Sequence, residues 1–191
     1  MSVRILALVG SLRTGSTNRQ LAEAAVKLAP EDVEVVIFEG LADIPFYNED
    51  IDVARHVPAT AAKLRRAALA ADAFLLFSPE CNGTIPAVLK NAIDWMSRPY
   101  GAGAFGGKPV AVVGTAVGTA VGQFGGVWAQ DEARKSVGIA GGKVLEDVKL
   151  CVPGSLTRFA DTHPVDDHEV AAKLTEVVAR LHDGVAEATA A

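Results

Sequence analysis

Residues 3–20 read VRILALVGSLRTGSTNRQ, and this stretch decides the fold class. Residues 3–9 are apolar except for Arg4, which is typical of a buried β-strand. A loop of hydroxyl residues and glycines follows, and a helical pattern begins after Thr17. A buried strand that leads through such a loop into a helix predicts the first half of a βαβ unit, and hence a parallel sheet.

The same alternation runs through the rest of the chain. Strands are predicted at 3–9, 33–38, 73–77, 110–114 and 143–148, and helices at 18–28, 58–70, 85–97, 126–137 and 167–187. We therefore predict an α/β fold, a doubly wound five-stranded parallel sheet of order 2-1-3-4-5 with helices on both faces. The chain has 191 residues and no linker-like break, so we expect a single domain over residues 1–191. In such a sheet the ligand lies beyond the carboxyl ends of strands 1 and 3, where the winding reverses.

The composition excludes several classes of protein. Half of the residues are hydrophobic, which excludes a disordered chain. The net charge of -5 makes a nucleic-acid partner unfavourable. Cys81 and Cys151 are too few and too far apart for a disulfide framework, and the N-terminal apolar run is too short for a signal peptide. We therefore expect a cytoplasmic protein.

One uncharged segment, residues 109–130, could be mistaken for a membrane helix. Gly114, Gly118 and Gly122 have the spacing of a membrane helix-dimer motif. The segment also contains a proline, several threonines and glutamines, and the pair Gly125 and Gly126, so its helix propensity is poor. A buried strand that runs into a glycine-rich loop fits better, and we expect no membrane partner.

The first loop, residues 10–17, has the features of a phosphate-binding site. Backbone N–H groups at a helix start attract anions, and hydroxyl and guanidinium groups can add hydrogen bonds. The side chains that could do so are Ser11, Arg13, Ser16 and Thr17. A serine stands where a Walker A loop has its lysine, and G-x-G-x-x-G is absent, so a terminal monophosphate is the expected ligand. The alternative is that these residues only begin a helix, since Thr17 and Gln20 fit a capping box.

The second loop, residues 78–86, is poor in catalytic side chains. Its prolines stiffen the ends, Gly83 allows close backbone approach, and Asn82 and Thr84 offer neutral hydrogen bonds. This set suits the edge of a planar heterocycle, and the alternative is a tight turn with capping residues. Cys81 has no neighbouring base, so we interpret it as a packing residue rather than a nucleophile.

Three segments together resemble the NADPH-dependent FMN reductases, a family of flavodoxin-like proteins that includes quinone, chromate and azo-dye reductases. They are GSLRTGSTNR after strand 1, SPECNGTIPAVLKNAIDW after strand 3 and GKPVAVVG into strand 4. The resemblance implies bound FMN, NADPH or NADH as hydride donor, and a quinone, chromate, azo compound or free flavin as acceptor.

The resemblance also implies which residues bind the cofactor. It assigns the FMN phosphate to Ser11, Arg13, Ser16, Thr17 and Asn18, and the ribityl chain and ring to Pro79, Glu80, Cys81, Asn82, Gly83 and Thr84. Thr119 and Gly122 are expected near the flavin. The chain departs from the family pattern at Cys81, where a tyrosine is usual, and in the doubled GTAV of residues 114–121.

Two flavin-dependent functions from different classes remain open at this point, and a flavin-free regulatory module that binds another phosphate is a weaker third. One is a reductase, in which the flavin carries the chemistry and no catalytic side chain is expected. The other is a non-enzymatic, flavodoxin-type electron carrier. A carrier covers its flavin with aromatic residues, whereas the second loop has none and only 6% of the chain is aromatic. The pattern therefore favours an open flavin face and a reductase.

Several further residues carry weaker expectations. Trp95 is either an exposed anchor for a second subunit or partly buried against the loop at Pro99, and the resemblance favours a homodimer or homotetramer. Arg98 and Arg134 are candidates for binding a nicotinamide 2′-phosphate. The four histidines are scattered, so no metal site is expected.

Overall fold

A computed structural model describes residues 2–53, 56–116 and 124–190. The strands are β1 Val3–Val9, β2 Val33–Ile37, β3 Ala73–Pro79, β4 Pro109–Thr115, β5 Lys143–Val144 and β6 Leu150–Val152. The α-helices are α1 Thr17–Leu28, α2 Ala59–Leu69, α3 Ala87–Met96, α4 Val127–Ile139, α5 Ser155–Arg158 and α6 His168–Ala190. All strand pairs are parallel, in the order β2-β1-β3-β4-β5, with β6 also on β4. The predicted order is confirmed.

Each face of the sheet packs against its own set of helices. Along β1, Ile5 and Ala7 belong to the core shared with α1 and α6, whereas Leu6 and Leu8 belong to the core shared with α2, α3 and α4. All four side chains are buried. Burial of alternate residues on opposite faces explains why this strand is apolar throughout rather than at every second position.

The prediction of one continuous fifth strand is wrong. Only its first two residues, β5, pair with the start of β4, and β6 pairs with the end of β4. Arg134 of α4 is 5% exposed and donates to the carbonyls of Leu145 at 3.0 Å and Val148 at 3.1 Å. Because these carbonyls bond to a side chain, the connecting residues leave the sheet between β5 and β6.

Trp95 is buried and is not a surface anchor. It is 0% exposed, and its indole N–H donates to the carbonyl of Pro45 at 2.8 Å. Its ring lies edge-on to Tyr47, with centroids 5.1 Å apart. The chain between β2 and α2 crosses this face of α3 and covers it. The helical pattern of α3 does not reveal this cover, because the covering segment lies far away in sequence.

Asn91 of α3 forms hydrogen bonds to the same segment between β2 and α2. Its carbonyl oxygen accepts from the backbone N–H of Tyr47 at 2.8 Å, and its amide donates to the carbonyls of Ile44 and Pro45. Asn91 is buried, so these hydrogen bonds replace contacts with water. The segment is therefore held by side chains of α3 rather than by strand pairing.

Replacing Asn91 by alanine should lower the free energy of unfolding by about 2–3 kcal/mol, because the Tyr47 N–H would be left without its buried partner. Equilibrium unfolding in urea measures the change. The control is Asp94→Ala on the same helix, which removes only a surface ion pair with Lys90 and should cost less than about 1 kcal/mol. Equal losses in the two variants would contradict this account of the segment.

Arg158 and Asp167 join α5 to the start of α6. The guanidinium donates to both carboxylate oxygens of Asp167, at 2.6 and 2.8 Å, and this lowers the pKa of Asp167 from its ordinary value of 3.8. Asp167 also accepts from the N–H of Val170 and so caps α6. The lowered pKa means that the unfolded chain takes up this proton at a higher pH than the folded protein does.

The stability contributed by this pair should be present at neutral pH and be lost as the pH falls through the lowered pKa of Asp167. Asp167→Asn keeps the capping oxygen and removes the charge. We expect the difference in unfolding free energy between parent and variant to shrink on acidification, measured by urea unfolding from pH 7 to pH 3. In an Arg158→Gln background the dependence on pH should become smaller, because only the helix-capping hydrogen bonds then lower the pKa of Asp167, and an undiminished dependence would refute the pairing as its main source.

Candidate functional site

The loops that follow β1 and β3 meet at the carboxyl edge of the sheet, as the winding predicts. The N–H of Gly10 donates to the carbonyl of Phe77 at 2.8 Å. A Cβ atom on Gly10 would lie only 2.9 Å from Cγ of Pro86, so the absence of a side chain there lets the two loops approach. This is the crevice in which doubly wound sheets bind their ligands.

The start of α1 presents unpaired backbone N–H groups to this crevice. Ser16 is the N-cap, one residue before the Thr17 of the predicted capping box, and its side chain accepts from the N–H of Arg19. Its carbonyl accepts from the N–H of Gln20. Within the described part of the chain, the N–H groups of Thr17 and Asn18 have no acceptor. Two free donors at a helix start suit the binding of an anion, and the capping by Ser16 leaves them available.

The side chains of Thr17 and Asn18 are buried and connect α1 to neighbouring elements. The Thr17 hydroxyl lies 3.2 Å from that of Ser155, and the Asn18 amide donates to the Thr115 hydroxyl at 2.8 Å. These contacts hold the helix start against the end of β4 and the start of α5. Because these side chains already have partners, the groups of Thr17 and Asn18 that can bind an anion are their backbone N–H groups.

Asn18 also retains one buried polar atom without a partner. The residue is 3% exposed, and its Oδ1 accepts from no described residue. Rotation of the amide by 180° would let the Thr115 hydroxyl donate to Oδ1 and would free Nδ2 as a donor instead. In either orientation the atom needs a polar partner, since an unpaired buried polar group is costly. A phosphorylated ligand with hydroxyl groups, such as FMN, could supply it.

The two arginines of the first loop differ in what they are free to bind. Arg19 is paired with Glu23 at 2.9 Å and with Glu39 at 2.6 Å. Arg13 is exposed and its side chain makes no ion pair with a described residue; the one hydrogen bond of that side chain, to the carbonyl of Thr14, is 3.5 Å long. Arg13 thus lies in the exposed part of the loop, where it can add a positive charge to the N–H groups of α1, while Ser11 is partly buried.

The second loop forms a tight turn over residues 81–84. The backbone groups of Cys81 and Thr84 bond to each other at 2.9 and 3.1 Å, and Asn82 and Gly83 between them have φ values of 53° and 78°. Two positive φ angles define a type I′ turn, which favours the sequence Asn-Gly. The whole turn is exposed, so the interpretation of Cys81 as a packing residue is wrong.

Pro79 and Glu80 connect this turn to the sheet and to α4. Pro79 is the last residue of β3, and the N–H of Glu80 donates to the carbonyl of Thr115 at 2.8 Å. The Glu80 carboxylate accepts from the N–H groups of Trp128 at 3.1 Å and Ala129 at 3.3 Å. It thereby caps α4, whose N-cap residue is a glycine. The side chain expected beside the cofactor thus stabilises the helix next to it.

The structure adds residues that the sequence did not indicate. Thr115 and Ser155 anchor α1, and Trp128 stands beside the second loop, with Cε3 3.6 Å from where a Cβ of Gly83 would lie. The second loop contains no aromatic residue of its own, but Trp128 places an aromatic ring beside it. The Gly125-Gly126 pair just before α4 was the one available signal, because it marks where the helix begins. Thr119 and Gly122 lie outside the described residues.

Other candidates lie elsewhere or are occupied. Arg134 is engaged with the chain between β5 and β6, which removes it as a ligand for a 2′-phosphate. Arg98 lies over the ring of Tyr47, 5.6 Å from its centroid.

In residues 2–53, 56–116 and 124–190, no three His, Cys, Asp or Glu side chains are grouped as metal ligands. Over the same residues, every helix is too short or too polar to span a bilayer.

The chain that forms this crevice, with its free helix start and exposed turn, matches a known protein family. Residues 3–157 match the family described as NADPH-dependent FMN reductase. The chain belongs to this family. Membership of the FMN reductase family shows that FMN is the cofactor and that a nicotinamide nucleotide is its reductant. It also shows that the protein is an enzyme rather than an electron carrier.

Individual relatives agree with the FMN reductase assignment. FerB, a flavoenzyme NAD(P)H:(acceptor) oxidoreductase from Paracoccus denitrificans, has a solved structure with a TM-score of 0.83 and 30% identity, covering 97% of this chain and 98% of that chain. A quinone reductase of Pseudomonas putida is 39% identical over 163 residues, which are 85% of this chain and 84% of the relative. A 2-hydroxy-1,4-benzoquinone reductase of a Burkholderia species is 43% identical over 126 residues, which are 64% of this chain and 67% of the relative.

Replacing Arg13 by alanine should weaken FMN binding by about 1.5–3 kcal/mol, the range of a charge-assisted hydrogen bond. Titration of the apoprotein with FMN, followed by flavin fluorescence, gives the dissociation constant. Arg19→Ala is the matched control, because Arg19 is already paired with two glutamates, and its FMN affinity should equal that of the parent. Unchanged affinity in Arg13→Ala would remove Arg13 from the phosphate site.

Proposed function

We propose that this protein uses FMN, bound at the carboxyl edge of the sheet, to transfer hydride from NADPH or NADH to a quinone. The two relatives that are quinone reductases support a quinone as the acceptor. The observation that carries the proposal is the pairing of a free helix start with an exposed, backbone-rich turn across one crevice. One end of this arrangement suits a phosphate and the other suits the polar edge of a flat heterocycle.

The phosphate end is held rigidly by side chains that point inward. The contacts of Thr17 with Ser155 and of Asn18 with Thr115 fix the first turn of α1, so its N–H groups need no rearrangement when an anion binds. Arg13 supplies the positive charge from the exposed loop. Ser11 and Ser16 complete the set that we propose for the phosphate.

The turn at the other end offers backbone rather than side chains. The N–H groups of Asn82 and Gly83 have no acceptor among the described residues, and both residues are exposed. A flavin ring has hydrogen-bonding groups along one edge, which suits such a turn. We propose that Pro79, Cys81 and Thr84 line this contact, and that Glu80 supports it by capping α4.

The chemistry that bound FMN supplies is two-electron transfer, with hydride arriving from NAD(P)H and leaving, together with a proton from water, to convert a quinone to a hydroquinone. The residues of the chain position the reactants and exclude competing reactions. We therefore assign no side chain to proton transfer. Chromate, azo compounds and free flavin, which the resemblance also implies, belong to the same proposal as further acceptors.

The purified protein should show a bound flavin spectrum, and anaerobic NADPH or NADH should bleach it because the nicotinamide delivers hydride to FMN. Addition of 1,4-benzoquinone should then restore the oxidised spectrum with one quinone consumed per flavin. Chromate, an azo dye and free FMN are compared under the same conditions. Bound flavin that neither nicotinamide bleaches would contradict the proposal, and so would reduced flavin that benzoquinone fails to reoxidise.

A further inference from the structure

Two aromatic side chains lie exposed at the start of α4, next to the proposed flavin site. Trp128 is 51% exposed and Phe124 is 53% exposed, and their ring centroids are 6.4 Å apart with planes inclined by 37°. The other tryptophan, Trp95, is fully buried with its indole N–H paired. Single exposed apolar residues are common, but adjoining aromatic rings beside a ligand crevice indicate a binding surface.

The second loop itself holds Trp128 in place. The backbone N–H of Trp128 donates to the carboxylate of Glu80 at 3.1 Å, and Cε3 of its ring lies 3.6 Å from where a Cβ of Gly83 would be. Both the main chain and the ring of Trp128 thus contact the segment that carries the proposed flavin turn. Trp128 therefore lies at the edge of the site in a defined position, and α4 anchors it.

The segment that leads to Trp128 is uncharged. Residues 109–130 carry no charge, the Glu80 carboxylate is engaged with the N–H groups of α4, and Asp131, farther along α4, pairs with Lys149 at 3.6 Å. A neutral planar molecule can stack there without losing the hydration of a charge. A small anion such as chromate gains nothing from the ring, and the net charge of -5 does not attract it.

We propose that Trp128 is the stacking wall for planar aromatic electron acceptors, and that it makes quinones preferred over non-aromatic oxidants. The inference rests on the proposed function, since it assigns the acceptor class at the same site. Trp128 acts by binding the acceptor ring and takes no part in hydride or proton transfer. Phe124, whose ring centroid lies 6.4 Å from that of Trp128, extends the wall.

Binding can be measured without turnover, because the oxidised holoenzyme cannot reduce a quinone in the absence of NAD(P)H. Calorimetric titration with 1,4-naphthoquinone should give a dissociation constant about tenfold higher in Trp128→Ala than in the parent. Trp128→Phe keeps a ring and should stay within about threefold of the parent. Ile139→Ala is the matched control, because Ile139 is an exposed apolar residue at the far end of the same helix, and its constant should not change.

Steady-state kinetics with two acceptors test the preference. For Trp128→Ala the KM for 1,4-naphthoquinone should rise about tenfold with kcat little changed, whereas kcat/KM for ferricyanide should match the parent. FMN content should also match the parent. An equal loss with both acceptors, loss of FMN, or an unchanged naphthoquinone constant would each overturn the role of Trp128.

The two proposals fail in different ways. If NAD(P)H does not bleach the flavin of the parent protein, the proposed reductase function fails. The calorimetric titration of the oxidised holoenzyme still decides whether Trp128 binds an aromatic ring. If the parent turns over quinone and Trp128→Ala binds naphthoquinone as the parent does, only the stacking inference fails.

Discussion

A parallel sheet that is buried on both faces needs its connecting helices to cross over opposite sides, and this constraint places everything else in the molecule. From β1 the chain winds one way through α1 to β2, and later the other way through α2 to β3 and onward. The loops after β1 and β3 therefore lie side by side at the carboxyl edge of the sheet and lead into α1 and α3 on opposite faces. The crevice between them exists because of the winding, whatever residues line it.

Side chains at this edge mostly form hydrogen bonds within the protein, so the groups that remain available to a ligand are mainly backbone groups. Asn18, Thr17 and Glu80 form hydrogen bonds to Thr115, to Ser155 and to the first N–H groups of α4. Among the described residues, the N–H groups without an acceptor include those of Thr17 and Asn18 at the α1 start and of Asn82 and Gly83 in the turn. Such a division suits a cofactor that carries its own chemistry, since rigid placement is then the main task of the protein.

Two aromatic side chains border the proposed flavin site, so the site is less open than the sequence suggested. The few aromatic residues of the chain suggested a flavin face without neighbours, yet Trp128 and Phe124 lie beside the second loop. Both residues follow β4 in the sequence and belong to neither of the two proposed cofactor loops. One side of the crevice is thereby apolar and aromatic, while the helix start at the other side is polar and, with Arg13, positively charged. The geometry separates the place for a phosphate from the place for a neutral ring.

The sequence by itself determined the fold class, the strand order, the family and the two loops that form the crevice. These follow from local patterns: a strand of period two or a fully apolar run, a helix of period 3.6, and loop motifs a few residues long. Only the tertiary structure decided that Arg134 divides the fifth strand, that the chain after β2 buries Trp95, that Glu80 caps α4, and that Trp128 stands beside Gly83. The physical reason is that each of these contacts joins residues from different elements. The distance between such residues depends on how the helices pack across the sheet, and no local pattern records it.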